Sequence, residues 1–342
     1  MATIKEVAKA AGVSTATVSR VINNNGYVNE ETKVKVLKAI KELEYKPNII
    51  ARSLYKKESK MIGLIVPDIT NPFFPQLTRA VEDVANNKGY TVILGNSDQQ
   101  EEKEKAYIDM MAQQYVDGLI IVSNTLDDRY LSKYNKPFVM IDRNTSKTGP
   151  AVVVNNREGA REAVLYLIKS GSRVIAHISG PENVNNAVLR CQGYIDIVRD
   201  KDWFHPKYIQ QGDYTLQGGY KATIKLLNQY PEIDAIFAAN DLMAIGVLKA
   251  ARDLNLKVPE DLAVIGFDGI EVGQATAPEL TTMQQPIYKI GEKATTLLLD
   301  LINKKPLNKE VYELPVELCV RQSTRPFHFS SSLLSNEKGS SS

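Results

Sequence analysis

Apolar residues recur at helical spacing through the first forty-five positions of the chain. Ile4, Val7 and Ala8 give a first short helix one apolar face, and Thr3 followed by Glu6 supplies a capping-box start. Gly12 marks a bend. Ser14 is placed to cap a second helix whose Val18, Val21 and Ile22 point inward, which leaves Thr15, Ala16, Thr17, Ser19 and Arg20 on or near its outer face. A third run from about Asn29 to Tyr45 sets Val34, Leu37, Ile40 and Leu43 on one stripe, completing a three-helix module. The pattern breaks at Pro47, and NIIARSLYKK follows, with Asn48 as a capping candidate and Ile50, Ala51 and Leu54 able to share a face. Two turns of helix are marginal alone in water. The segment therefore reads either as a plain basic linker or as a helix that folds only against a partner surface.

From Met61 the period changes to apolar strand, helix, apolar strand. The strand candidates are 61–67, 91–96, 117–123, 137–142 and 151–155, then 173–179, 234–240 and 262–267, with helices between them. β-branched runs separated by helices predict parallel sheets covered on both faces, and the alternation occurs in two halves, so two similar lobes are expected. The resulting organisation is a helical headpiece over 1–46, a linker over 47–60, a two-lobed α/β core over 61–326 and a serine-rich tail over 327–342. In open sheets ligands bind beyond the carboxyl ends of the strands. Those ends are consistently polar: Asn71 with Phe73 and Phe74, then Asp142 and Arg143, Asn240 and Asp241, Asp268, and Gln284 and Gln285. Such groups hydrogen-bond several hydroxyls at once, and aromatic faces cover the apolar side of a sugar ring, which makes a small polyol the natural ligand. Asn240 and Asp241 could equally cap the helix that follows them.

Charge sharpens the division. The chain carries a net +2, yet its first sixty residues carry +6 and the remainder −4, so the basic headpiece is the end suited to a polyanion. Two helices across a glycine turn, with the start of the second one polar and exposed, form the helix-turn-helix layout that reads DNA base edges. Phosphate-cradling GxxxxGK[ST], GxGxxG after the first strand, GxSxG and HExxH are all missing from the sequence, which argues against catalysis and calls for no cofactor or metal. His177 lies inside an apolar strand and is expected to be a hydrogen-bonded core residue. Cys191 and Cys319 lack metal-like spacing and are expected as free thiols. With no leader-like or membrane-spanning run, a cytoplasmic protein is expected.

The runs TIKEVAKAAGVSTATVSRVIN, KPNIIARSL, NDLMAIG and VIGFDG resemble those of the lactose-repressor (LacI/GalR) family of bacterial transcription regulators, and the likeness extends over roughly residues 2–325. The resemblance implies a DNA-binding headpiece, a hinge helix, a periplasmic-binding-protein-like effector domain and a homodimer on palindromic operator DNA. It places Thr15, Ala16 and Arg20 at base-reading positions, and Leu54 where a leucine wedges into the minor groove. Thr3, Ser14, Thr17, Ser19, Asn23, Ala51 and Arg52 complete the expected DNA-contacting set. The strand-end set is similar to the pentose site of ribose-binding proteins and ribose-responsive repressors. Carried over by residue, it comprises Asn71, Phe73, Phe74, Asp142, Arg143, Arg190, Tyr214, Asn240, Asp268 and Gln285, with Gln284 as the fallback for the last. Tyr214 departs from the pattern, since a Phe is usual there. Within the family the competing expectation is a carbon-catabolite regulator whose co-effector is a phosphorylated carrier protein.

Overall fold

The computed structural model describes residues 2–45, 58–113, 116–123, 126, 128–143 and 149–326. It divides into two compact units, residues 1–60 and 61–342.

The first unit is built on α1 (Ile4–Ala11), α2 (Thr15–Asn23) and α3 (Glu30–Glu42). Thr3 and Glu6 form a reciprocal capping box, with Thr3 N–H donating to Glu6 Oε2 at 2.7 Å. Gly12 ends α1 at φ +65°, a left-handed position that costs glycine nothing. Ser14 Oγ accepts from Thr17 N–H at 3.1 Å, and Asn29 Oδ1 accepts from Thr32 N–H at 2.8 Å. Val7, Ala8, Val18, Val36 and Ala39 are buried together, with Ile4, Val21, Ile22, Ile40 and Tyr45 packed around them. The expected stripe on α3 is therefore corrected. Two overlapping apolar series run along that helix, and the one containing the small Ala39 faces α1, whereas Val34 and Leu37 stay 59% and 50% exposed. Leu43 falls just past the helix end, and the core is closed by Tyr45 from beyond it.

The second unit holds two six-stranded sheets. The first comprises β1 (Met61–Val66), β2 (Thr91–Asn96), β3 (Gly118–Val122), β4 (Phe138–Ile141), β5 (Ala151–Val154) and β11 (Val311–Leu314), in the order β11-β5-β4-β3-β1-β2. The second comprises β6 (Ile175–Ser179), β7 (Ile209–Gln211), β8 (Ala235–Ala238), β9 (Ala263–Asp268), β10 (Thr281–Gln284) and β12 (Glu317–Cys319), in the order β12-β10-β9-β8-β6-β7. All pairings are parallel except β10 with β12. Around the first sheet run α4 (Phe73–Asn87), α5 (Glu101–Gln113), α6 (Asp128–Leu131) and the late α11 (Ile287–Ile302). Around the second run α7 (Asn156–Lys169), α8 (Asn185–Val198), α9 (Leu216–Gln229) and α10 (Asp241–Asp253). The chain passes between lobes after β5, after β10 and between β11 and β12. Each strand order reverses once, between β2 and β3 around β1 and between β7 and β8 around β6, which is where doubly wound sheets open a crevice at their carboxyl ends. Among the described residues no helix is long and apolar enough to cross a membrane.

Candidate functional site

The carboxyl ends of both sheets open onto one cavity of about 900 Å³, measured out to its mouth. Nine of the ten residues expected at an effector site line it: Asn71, Phe73, Phe74, Asp142, Arg190, Tyr214, Asn240, Asp268 and Gln285. Arg143 is not among the lining residues; it is half-buried, and its guanidinium donates to the Leu126 carbonyl.

Arg190, at the middle of α8, is 2% exposed. Its Nε donates to Asn156 Oδ1 at 2.8 Å, and one terminal amino group donates to the Ala239 carbonyl at 2.6 Å and to Asp268 Oδ1 at 3.2 Å. The guanidinium plane lies 3.8 Å from the centre of the Phe267 ring. Gln285 Nε2 donates to the same Asp268 oxygen at 2.8 Å. Burial pushes the Asp268 carboxyl above its ordinary value, and Arg190 and Gln285 pull it back. Gln284, the fallback, is exposed and does not line the cavity.

Asn240 has two roles. Its Oδ1 caps α10 by accepting from Met243 N–H at 2.9 Å, while Nδ2 donates to the Tyr214 carbonyl at 3.1 Å. Asp241 resolves differently. Its carboxylate accepts from the N–H groups of Gly269 and Ile270 and from the Thr282 hydroxyl, so it shapes the turn after β9 from beneath and is not among the lining residues. The Tyr214 ring packs on Gly180, where an added Cβ would fall 2.5 Å from the ring. Its hydroxyl donates to Asn186 Oδ1 at 2.8 Å.

On the first lobe, Phe73 and Phe74 meet edge to face with ring centres 5.2 Å apart, at the start of α4. Asn71 Oδ1 accepts from Phe73 N–H at 3.1 Å, which ties the loop after β1 to that helix. Asp142 follows β4 and is 6% exposed. Burial raises its carboxyl, opposed by the Arg190 charge and the Asn186 amide. Among the described residues, two acceptors are buried without a protein partner at this cavity: Asp142 Oδ1 and Gln285 Oε1. An orphaned buried acceptor is costly, so both positions are suited to a donor from outside the protein. Asp142, Tyr214 and Asp268 also have positive φ, at 64°, 65° and 122°. Side chains rarely take that conformation, and such strain gathers at binding sites.

The sequence reading missed Asn186, Asp213, Thr215 and the first-lobe residues Asp68, Ser97, Gln99, Glu104 and Ser123, which also line the cavity. Asn186 lies four positions before Arg190 on α8, so helical spacing from a known site residue was the available signal. His177 matches its expectation. Nδ1 bonds the Phe237 carbonyl at 2.8 Å between stacked Phe237 and Tyr194 rings, and burial lowers its pKa to about 4, so it is neutral.

On the headpiece, Ser14, Thr15, Ala16 and Arg20 are exposed, and Thr17, Ser19 and Asn23 partly so. Asn23 Nδ2 donates to Ser19 O and Oγ at 2.9 and 3.2 Å, bracing the last turn of α2. Thr3 is exposed at the start of α1. Ala51, Arg52 and Leu54 lie outside the described residues.

Comparison with known proteins gives two family matches. Residues 3–48 match "Bacterial regulatory proteins, lacI family", and residues 59–322 match "Periplasmic binding proteins and sugar binding domain of LacI family". The ribose operon repressor of Halalkalibacterium halodurans is 46% identical over 325 residues, covering 95% of this chain and 98% of that protein. The lac repressor dimer bound to operator and the anti-inducer ONPF superposes with a TM-score of 0.85 at 30% identity, over 95% of this chain and 99% of the other. A LacI-family regulator of Enterococcus faecium with bound ribose gives a TM-score of 0.70 at 30% identity, over 78% and 100%. This chain belongs to the LacI family of bacterial regulatory proteins.

Proposed function

We propose that the protein is a transcriptional repressor that binds a palindromic operator as a homodimer and releases it when an unphosphorylated pentose, D-ribose first, occupies the cavity between the lobes. The observation that carries the ligand class is the pair of orphaned acceptors, Asp142 Oδ1 and Gln285 Oε1, in a cavity with three aromatic side chains. Acceptors without donors call for a ligand rich in hydroxyls, and the rings suit the apolar face of a sugar. Charge argues for the free sugar. Asp68, Glu104, Asp142, Asp213 and Asp268 line the cavity, and Arg190, the one cation among its described lining residues, already pairs with Asp268. A phosphate dianion would meet carboxylates. The E. faecium regulator with bound ribose and the H. halodurans ribose operon repressor support the choice of sugar.

On the headpiece, Thr15, Ala16 and Arg20 are the base-reading candidates, with Arg20 suited to a bidentate contact with guanine. Thr3, Ser14, Thr17, Ser19 and Asn23 position the helices on the backbone, and Ala51, Arg52 and Leu54 belong to the proposed minor-groove segment. Arg143, held at Leu126, is proposed to join the ligand on lobe closure. Sugar and operator are linked reciprocally, so each weakens the other by one factor.

Titration calorimetry with D-ribose, ribose 5-phosphate, a purine base and a serine-phosphorylated carrier protein, followed by operator binding with and without the hit, tests the reading. Heat with D-ribose and a weakened operator complex are expected. Binding only of the purine or the phosphoprotein refutes the pentose and, in the second case, establishes the catabolite-regulator alternative.

A further inference from the structure

Tyr214 carries a hydroxyl where the pentose-site pattern has none, and the structure gives that hydroxyl a task. It lies 2.8 Å from Asn186 Oδ1. The phenol is held on two other sides: its ring rests on Gly180, and its backbone carbonyl takes a hydrogen bond from Asn240 Nδ2 at 3.1 Å. Asn186 and Asp142 both line the cavity from opposite lobes. An amide has a donor end and an acceptor end, and a partner that fixes one end fixes the other. With a carboxylate across the cleft, the favourable arrangement has Oδ1 on the tyrosine side and Nδ2 toward Asp142.

We propose that Tyr214 is a positioning residue: by donating its only hydroxyl proton to Asn186 Oδ1, it locks the Asn186 amide with Nδ2 facing the Asp142 carboxylate, so that both lobes present oriented groups before the sugar arrives. The inference rests on the pentose reading only for its ligand arm. The lowering influence of the Asn186 amide on the Asp142 carboxyl agrees with a donor facing it. Two consequences follow. The Tyr214 hydroxyl, with its proton committed, offers a ligand only lone pairs. On this proposal the Asn186 amide serves the other Asp142 oxygen and leaves Oδ1, which has no protein partner, for the sugar.

A double-mutant cycle separates this role from a direct tyrosine–sugar contact. Tyr214→Phe, Asn186→Ala and the double variant are compared with the wild-type chain in two measurements: the urea midpoint without ligand, and the calorimetric Kd for D-ribose. Tyr214→Phe alone is expected to weaken D-ribose by roughly two- to tenfold, the range of one neutral hydrogen bond. Asn186→Ala and the double variant should agree within about a factor of two in Kd, and the phenylalanine should cost no further stability once Asn186 is gone. Asn186→Ser, which retains a short polar side chain, repeats the cycle if the alanine variant unfolds. Additive losses in either measurement, or an unchanged D-ribose Kd in Tyr214→Phe, overturn the proposal. No heat with D-ribose in the wild-type chain refutes the pentose reading alone, and the ligand-free arm still decides the role of Tyr214.

Discussion

Asp142→Asn should move ligand affinity and stability in opposite directions. The substitution keeps the shape of the side chain and removes its charge. In the folded chain the carboxyl is 6% exposed, Oδ1 has no protein partner, and burial raises its pKa above the ordinary 3.8, with Arg190 and the Asn186 amide only partly offsetting. A raised pKa means that the folded state binds the proton more tightly than the unfolded state. Stability therefore declines as pH rises from 3.8 through the folded value, and at neutral pH the buried anion is a standing cost. Asparagine removes that cost, so the urea midpoint at pH 7 should rise. The sugar loses a charged acceptor, and a hydrogen bond to a charged group is worth about 1.5–3 kcal/mol, so D-ribose affinity should fall roughly 10- to 150-fold. Calorimetry gives the second number and urea unfolding followed by circular dichroism gives the first. If Asp142→Asn lowers stability, the carboxylate is a structural partner and the orphaned-acceptor argument fails. Unchanged affinity would remove Asp142 from the site.

Arg190→Met should destabilise the second unit by about 3–5 kcal/mol, because it strands the buried Asp268 that Arg190 meets at 3.2 Å; the urea midpoint reads it, and a loss under 1 kcal/mol would contradict the pairing. Acidification should weaken D-ribose binding before ordinary carboxylates titrate, since burial holds the Asp268 carboxyl high and protonation removes an acceptor; a flat calorimetric profile from neutral pH down to about pH 5 would count against it. Arg20→Ala should cost about 1–3 kcal/mol of discrimination at one base pair per half-site, measured by fluorescence anisotropy on single-substituted operators, while the D-ribose Kd stays unchanged.

Where the sequence was legible, one physical signal dominated. The apolar runs at β1, β3, β4, β8 and β9 are buried along their whole length or nearly so, and continuous β-branched burial is what a central parallel strand requires. Edge strands hid. β7 reads IQQ and β12 reads ELC, and both lie at the border of the second sheet, where one side faces solvent and polar residues are tolerated. In the headpiece the caps Thr3 and Ser14 act through local hydrogen bonds and were readable, whereas the buried face of α3 depends on which neighbour approaches and was misread. The cavity followed the same division. Asp142 and Asn240 end predicted strands, and Asp268 directly follows one. Asp213 and Thr215 follow the unrecognised β7, whereas Asn186 sits one helical turn before Arg190, so only spacing from a recognised residue marked it.

The two lobes do not prepare for the ligand equally. On the second lobe Arg190 and Gln285 both donate to Asp268, Asn240 is fixed by its cap and by the Tyr214 carbonyl, and Tyr214 is fixed by Asn186. These groups hold their geometry before any sugar enters, which lowers the ordering cost of binding there. The first lobe contributes Phe73 and Phe74, whose contact is apolar, together with the open Oδ1 of Asp142, while Arg143 rests on Leu126 outside the cavity lining. On the proposed function a pentose gains most of its oriented hydrogen bonds on the second lobe and, on the first, the one to Asp142 that Asn186 faces, while the contacts with Phe74 and Arg143 are completed as that lobe moves onto the ring. Binding energy realised after that movement is the portion available to shift the lobes, because a ligand changes an equilibrium only by its differential affinity for the two states. Substitutions on the second lobe should then weaken sugar binding as such. Substitutions at Phe74 or Arg143 should instead leave an initial complex and reduce the factor by which D-ribose releases operator. Measuring Kd and that factor separately distinguishes the two, and equal proportional losses in both classes would show that the lobes act as one surface.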